Sequence, residues 1–126
     1  MRPRDDTSGR VQRGLASHYG GRFHGRRMAN GERFSRHSNS AASRTLPLGT
    51  IARVTNLRNG RTAQVEIEDR GPYGRGRILD VSPRTAELLG MPRGGTAPVE
   101  VAPIAMPQRD GSVRRGAGAD GRHAGR

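Results

Sequence analysis

The sequence feature that most constrains the fold is a pair of alternating segments, TIARVTNL and TAQVEIED, on either side of an Asn-Gly pair. In the second segment Ala63, Val65 and Ile67 occupy every other position, the spacing that places side chains on one face of a β-strand. Asn59-Gly60 suits the positive φ angles of a two-residue hairpin turn. This passage therefore predicts a β-hairpin.

A short strand and a capped helix are predicted within the stretch Glu68–Gly90. In the segment RILDVS the apolar residues Ile78, Leu79 and Val81 predict a short buried strand. Ser82 is a suitable N-cap residue, Pro83 fits the first helical position, and Gly90 fits the position just past the end. The sequence therefore predicts a helix over Pro83–Leu89.

The rest of the chain adds two strands and a long irregular stretch. The segment GLASHYG predicts a first strand, and Thr96–Ile104 alternates as a closing strand. Between them Gly21–Ser43 shows no period, and Phe23 and Phe34 are expected to anchor it as an ordered loop. Several short strands around one helix predict a small closed barrel, because closure leaves no exposed sheet edge.

The composition fits one small domain with an aliphatic core. The chain has 126 residues, of which 31% are hydrophobic, and its aromatic residues are two Phe and two Tyr. We expect residues 1–12 to form a flexible N-terminal lead, residues 13–104 to form the barrel, and residues 105–126 to form a disordered tail rich in Arg and Gly.

All basic residues are arginine, and the formal net charge is +12. Either the base composition of the genome or an anionic partner explains this, and the partner would be a nucleic acid or a cell-wall polymer bearing carboxylates and phosphates. A nucleic acid is disfavoured because the chain lacks aromatic residues interleaved with its arginines. The absence of Cys excludes disulfides and thiolate chemistry. No apolar run is long enough for a transmembrane helix, and the N-terminus lacks a signal-peptide core.

Five blocks in order carry a family resemblance: GLASHYG, FHGRRMANGERF, AASRTLPLGTIARVTNLRNGR, DRGPYGRGRILDVSPRTAELLG and TAPVEV. Together, over residues 13–104, they resemble the RlpA-like family of bacterial cell-envelope proteins, which is related to expansins. The resemblance implies an all-β fold: a small six-stranded double-psi β-barrel with one or two short helices.

The resemblance also implies an activity. Members of the family are endolytic lytic transglycosylases that act on peptidoglycan glycan strands stripped of peptide stems. They cleave the bond between N-acetylmuramic acid and N-acetylglucosamine and leave a 1,6-anhydro end. It further implies a location in the cell envelope, either periplasmic or secreted, septal or divisome proteins as partners, and no cofactor.

Two acidic residues fall at the functional positions of the family, Glu32 in ANGERF and Asp69 in EDRGP. The reaction needs a proton donor to the glycosidic oxygen and a base for the sugar 6-hydroxyl. We predict Asp69 as the acid/base and Glu32 as its partner in positioning or charge stabilisation, although the roles could be exchanged. The alternative is that both residues form surface ion pairs with the neighbouring Arg33 and Arg70.

The sequence departs from the family pattern at two positions. Ser43 replaces a His associated with the site, and serine cannot hold a charge or relay a proton near neutral pH. His37, in the same loop, is either a substitute or an ordinary solvated residue. His18 stands where the family commonly has Trp, and it offers less area for stacking on a sugar ring.

Five aromatic or polar residues are predicted to bind the substrate. Tyr19 and Tyr73 are either stacking platforms or barrel packing. No metal is expected, because the histidines match no zinc signature. The complete predicted set is Tyr19, Phe23, Asn30, Arg70 and Tyr73.

Two other functions remain open at the level of sequence. The first is a non-catalytic, expansin-like module that binds cell-wall glycans, since Ser43 weakens the case for catalysis. The second is a basic nucleic-acid-binding protein, which predicts a steep dependence of binding on salt.

Overall fold

A computed structural model describes residues 5–19 and 23–119 of the chain. Within these ranges it contains seven strands, one α-helix and a final 3-10 turn at Ala117–Ala119. The elements are β1 (Gln12–His18), β2 (Ser40–Ala42), β3 (Ile51–Asn56), β4 (Thr62–Asp69), β5 (Arg77–Val81), α1 (Pro83–Leu88), β6 (Ala97–Pro107) and β7 (Val113–Arg115).

Six of the strands close into a barrel. Their order is β1-β5-β2-β4-β3-β6, and β6 pairs back onto β1. The β1/β5 and β2/β4 pairs are parallel, and the other pairs are antiparallel. Strand β7 pairs only with the end of β6 and lies outside the barrel. The predicted all-β, six-stranded barrel with a short helix is confirmed.

The predicted hairpin is formed by β3 and β4. The two strands are antiparallel, with Thr55 opposite Thr62, and Gly60 has a φ of 76° in the turn between them. The side-chain amides of Asn56 and Asn59 both donate to Leu89 O, at 2.9 and 3.0 Å. The hairpin turn therefore satisfies a carbonyl at the end of α1 that has no partner within the helix.

Helix α1 begins as predicted and ends one residue early. Ser82 Oγ accepts a hydrogen bond from Thr85 N at 3.1 Å, which is the N-cap geometry, and Leu89 forms the C-cap. Ala86 and Leu89 are buried, whereas Leu88 is 49% exposed. Residues three apart share a helix face and adjacent residues do not, so one side of this short helix packs on the barrel.

The core is aliphatic, as the composition predicts, and a smaller aromatic cluster lies beside it. The cluster contains Tyr19, Met28, Phe34 and Ala42, with Phe23 packed against it. The main core is formed by residues of all the long strands and of the helix, among them Val54, Val65, Ile67, Leu79, Val81, Leu89, Val99 and Val101.

The C-terminal segment differs from the predicted disordered tail. Strand β6 continues to Pro107, β7 pairs with it, and the side chain of Met106 is fully buried. The glycines that suggested disorder allow close packing instead, since a Cβ at Gly116 would lie 2.5 Å from Pro103 O. Composition alone does not distinguish these two uses of glycine. Residues 120–126 lie outside the described residues.

The N-terminal segment is attached to the barrel wherever it is described. Arg70 Nη2 donates to Asp5 Oδ1 at 3.3 Å, and Asp6 N donates to Thr45 O at 2.7 Å. Strand β1 begins at Gln12, the last residue of the predicted lead. Residues 1–4 lie outside the described residues. None of the helices in the described part of the chain could span a membrane.

Candidate active site

Asp69 occupies the point where strand β4 leaves the barrel. The pairing of β4 with β2 shifts by one residue just before Asp69, since Ala41 is opposite Ile67 whereas Ala42 is opposite Asp69. Asp69 is therefore level with Ala42 of the aromatic cluster. One step beyond Ile67 the barrel opens, and Asp69 lines a cleft of about 540 Å³. The irregular end of β4 therefore places a carboxylate in this cleft.

Three donors orient the Asp69 carboxylate. Tyr19 Oη donates to Oδ2 at 2.8 Å, and the backbone N–H groups of Ala29 and Arg70 donate to Oδ1 at 2.9 Å each. A carboxylate oxygen can accept two hydrogen bonds, so Oδ2 retains one direction that the described residues do not fill. Asp69 is thus held in one orientation, with an acceptor site available.

Tyr19 connects this carboxylate to the aromatic cluster. Its ring centroid lies 4.3 Å from that of Phe34 and 5.6 Å from that of Phe23. Burial raises the pKa of the Tyr19 phenol far above its usual range, and the hydrogen bond and negative charge of Asp69 raise it further. The phenol therefore remains a neutral donor to Asp69 at physiological pH.

Asp80 is a second carboxylate of this cleft that the sequence reasoning missed. It lies on β5 and accepts a hydrogen bond from Ser17 Oγ. In the sheet, Ala42 of β2 is in register with Asp69 on one side and with Asp80 on the other. Their Cα atoms are thus two strand spacings apart, about 10 Å. An acidic residue inside the apolar run RILDVS was the available signal.

Glu32 lies on a turn beside the cleft and does not line it. Its side chain is exposed, and the described residues give its carboxylate no hydrogen bond or ion pair. Burial and the charges of Glu68 and Glu32 raise the pKa of Glu66, a residue of β4. The structure therefore does not bring the predicted pair, Asp69 and Glu32, into one cleft.

Ser43 and His37 are both absent from the lining of the cleft. Ser43 is buried, and its Oγ accepts hydrogen bonds from Thr45 N at 3.2 Å and Leu46 N at 3.0 Å. This serine caps a turn behind Asp69, and its N–H donates to Asp69 O. His37 is exposed, with its ring 6.2 Å from the ring of His24.

Four of the five predicted substrate-binding residues line the cleft: Tyr19, Phe23, Arg70 and Tyr73. Tyr73 is 77% exposed at the rim and offers an accessible aromatic face. Arg70 has a structural role, because its guanidinium donates to two backbone carbonyls and to Asp5. Asn30 lies outside the cleft, where its amide donates to Glu68 Oε2 at 2.9 Å.

The described residues contain no group of three or more His, Cys, Asp or Glu side chains that could hold a metal ion. The cleft itself is lined by both acidic and basic groups. Besides the two aspartates and Arg70, it includes Arg26, Arg27 and Arg77. It can therefore contact a ligand that carries both hydroxyl and anionic groups.

Comparison with known proteins identifies the family. A family model described as lytic transglycolase matches residues 11–101. The chain belongs to this family. The RlpA-like assignment predicted from the five sequence blocks is thereby confirmed, and the chain is also similar to individual members.

Two members of the family illustrate the extent of the similarity. The chain is 56% identical over 88 residues to a probable endolytic peptidoglycan transglycosylase RlpA of Aquifex aeolicus, covering 70% of this chain and 39% of that protein. It is 44% identical over 102 residues to the endolytic peptidoglycan transglycosylase RlpA of Neisseria meningitidis serogroup A, covering 81% and 43% respectively. The chain thus spans less than half the length of these relatives.

Solved structures support the fold. A Clavibacter michiganensis expansin mutant, solved in complex with cellohexaose, superposes with a TM-score of 0.57 at 20% identity, covering 75% of this chain and 50% of that one. The Streptomyces papain inhibitor superposes with a TM-score of 0.53 at 21% identity, covering 76% and 96%. At these identities the likeness concerns the barrel fold alone.

Proposed function

We propose that the chain is an endolytic lytic transglycosylase that cleaves peptidoglycan glycan strands stripped of their peptide stems. The bond cut is the one between N-acetylmuramic acid and N-acetylglucosamine, and the product carries a 1,6-anhydro end. The observation that carries the proposal is the Asp69 carboxylate, which three donors orient in an open cleft. The relatives named as peptidoglycan transglycosylases support the substrate class.

The reaction moves one proton from the sugar 6-hydroxyl to the departing glycosidic oxygen. In its acid form Asp69 donates a proton to that oxygen as the C1–O bond breaks. The resulting carboxylate then takes the proton of the 6-hydroxyl as O6 bonds to C1, so the group ends as it began. Because its pKa is raised, the Tyr19 phenol stays protonated at physiological pH and can donate to Asp69 after the proton has left, which stabilises the carboxylate form.

The developing positive charge on the sugar needs a negative group nearby, and two residues can provide one. Glu32 occupies the family position, and its exposed carboxylate has no partner among the described residues, so it is available to a bound strand. Asp80 lines the cleft, but one of its oxygens already accepts from Ser17. We propose Glu32 as the partner of Asp69, and we expect Asp80→Asn to lower activity less than Asp69→Asn does.

The substrate also determines where the protein would act. Because peptidoglycan lies outside the cytoplasmic membrane, we place the chain in the cell envelope, in the periplasm or secreted. Septal or divisome proteins are the partners that the family resemblance suggests, and they remain a proposal.

A product assay tests this function. Purified chain is incubated with stem-free glycan strands, and the released sugars are identified by mass spectrometry. Lytic cleavage gives products one water lighter than hydrolysis does. We expect anhydro products from the wild-type chain and from Glu66→Gln, and product release roughly 10²- to 10⁴-fold slower from Asp69→Asn. Products with a free reducing end, or equal activity in Asp69→Asn, would contradict the proposal.

A second candidate is a glycan-binding module without catalysis. It is favoured by Ser43, whose buried hydroxyl caps a turn and offers no proton-sharing group to the cleft. This candidate predicts that stem-free strands bind but release no anhydro sugars. If the strands bind without release of anhydro sugars, Ser43→His is compared with the wild-type chain. Product formation by this variant would indicate that the chain has lost a catalytic group at position 43.

A further inference from the structure

A second groove adjoins the Asp69 cleft and shares part of its lining. The groove has a volume of about 450 Å³ and lies between helix α1, the residues after it and the segment around Arg36. His18 and Tyr19, at the end of β1, line both the groove and the Asp69 cleft. The two cavities are therefore adjacent, with His18 and Tyr19 as their common wall.

The wall of the groove is held in place by contacts between α1 and the loop opposite. Arg84 N donates to Arg36 O at 3.2 Å, and Ser82 Oγ donates to Ser38 O. Ser82 is also the N-cap of the helix. The same residue thus caps the helix and ties the loop to it, so the groove is shaped by the fold before any ligand binds.

The groove combines an apolar floor with arginines that lack partners. Arg36 and Arg93 are exposed at its edges, and neither guanidinium forms a hydrogen bond or ion pair within residues 5–19 and 23–119. Glu87 is the acidic residue of the lining, so the two arginines give the groove a net positive charge. The apolar lining consists of Pro83, Ala86, Met91 and Pro92.

We infer that this groove binds the glycan strand beyond the sugars at Asp69, and that Arg36 and Arg93 bind the lactyl carboxylate of an N-acetylmuramic acid residue. The inference rests on the proposed function. Removing a peptide stem leaves the lactyl group with a free carboxylate, which a guanidinium binds through parallel N–H donors. A strand that keeps its stems has an uncharged amide at that atom.

The apolar floor fits the same occupant. Sugar rings present C–H faces that pack on proline and methionine side chains, while their hydroxyl groups remain in water. A strand lying across both cavities would therefore place its rings on the floor and its carboxylates at the arginines. This arrangement would make the protein prefer stem-free strands over strands that still carry peptides.

Binding measured in a variant that does not cleave tests the inference apart from turnover. In the Asp69→Asn background, Arg36 and Arg93 are both changed to Gln, and the affinity for long stem-free strands is measured by calorimetry. The control changes Arg114 and Arg115 to Gln, which lowers the net charge equally at exposed positions on β7. A parallel series uses strands whose lactyl carboxylates have been converted to amides.

We expect the Arg36/Arg93 variant to bind stem-free strands with roughly tenfold higher Kd, and the control to change Kd less than about twofold. On the amidated strands the two variants should bind alike. Equal affinities on stem-free strands, an equal loss on amidated strands, or no binding at all would overturn the inference. Because the readout is affinity, failure of the wild-type chain to release anhydro sugars would contradict the proposed function separately.

Discussion

Asp69 and Glu32 are the two carboxylates that the sequence pairs, and the structure gives them opposite surroundings. Asp69 accepts hydrogen bonds from the Tyr19 hydroxyl and from two backbone N–H groups, inside a cleft. Glu32 is exposed, lies outside that cleft, and receives no hydrogen bond to its carboxylate from the described residues.

These surroundings determine how each carboxylate can contribute to a reaction. A carboxylate that hydrogen-bond donors hold in place needs no reorganisation when the substrate binds. Its removal should therefore lower the rate of the chemical step. An exposed carboxylate is ordered only by the substrate itself. It acts through a high dielectric, which weakens its electrostatic interaction with the reacting sugar. Substitutions at the two carboxylates and at their neighbours should therefore differ in the size of their effects.

The largest expected effect is that of Asp69→Asn. The change keeps the size of the side chain but removes the group that exchanges a proton, so kcat should fall by roughly 10²- to 10⁴-fold. The rate at which anhydro sugars are released measures this change in kcat. Glu66→Gln, on the outward side of the same strand, is the matched control and should leave kcat unchanged. Activity of Asp69→Asn within about threefold of wild type would remove Asp69 from the chemistry.

Glu32→Gln should have a smaller effect on the same assay. Because the exposed carboxylate acts through solvent, we expect kcat/KM to fall by roughly tenfold. Glu66→Gln is again the control, since it removes the same charge from a residue of β4 that has no proposed role in the reaction. If the two variants behave alike, Glu32 contributes no more than any surface charge.

Tyr19→Phe tests whether orientation of Asp69 matters. The change removes one of three donors to the carboxylate and leaves the aromatic packing in place, so we expect kcat to fall about fivefold and the free energy of unfolding to fall by about 1 kcal/mol. Tyr73→Phe provides the control at the exposed rim. A wild-type kcat for Tyr19→Phe would mean that the two backbone donors orient Asp69 unaided.

The smallest expected effect is on stability. The pKa of Glu66 is raised by burial and by the charges of Glu68 and Glu32, so folding disfavours its ionised form. This destabilisation appears as the pH rises above the usual Glu value and is complete at neutral pH. Glu66→Gln should therefore raise the free energy of unfolding at pH 7, by no more than about 0.5 kcal/mol for a group in contact with solvent.

Unfolding curves recorded against pH check this prediction. The gain from Glu66→Gln should vanish below about pH 4, where the carboxyl group is protonated in both states. A gain that persists at acidic pH would show that the charge of Glu66 is not its cause.

Local signals were sufficient to predict the elements that depend on neighbouring residues. The Asn59-Gly60 turn predicted the hairpin, and Ser82 with Pro83 predicted the start of the helix. The alternation of Ala63, Val65 and Ile67 predicted the buried side of β4, although an irregularity in the β2/β4 pairing interrupts it before Asp69. Each of these depends on residues a few positions apart.

The parts that the sequence did not predict depend on strand pairing at long range. Asp80 enters the cleft because β5 and β4 both pair with Ala42 of β2, a register that no local pattern encodes. Glu32 was paired with Asp69 through the family positions alone. Similarly, the glycines after residue 105 suggested disorder, although Gly116 packs against β6.

The most direct test of the central claim is a crystal structure of the Asp69→Asn variant with a stem-free glycan strand bound. We predict that the glycosidic oxygen to be cleaved lies about 3 Å from the side chain at position 69, the distance of a hydrogen bond. A strand bound with that oxygen against Glu66 and Glu68, or at any place remote from position 69, would contradict the account.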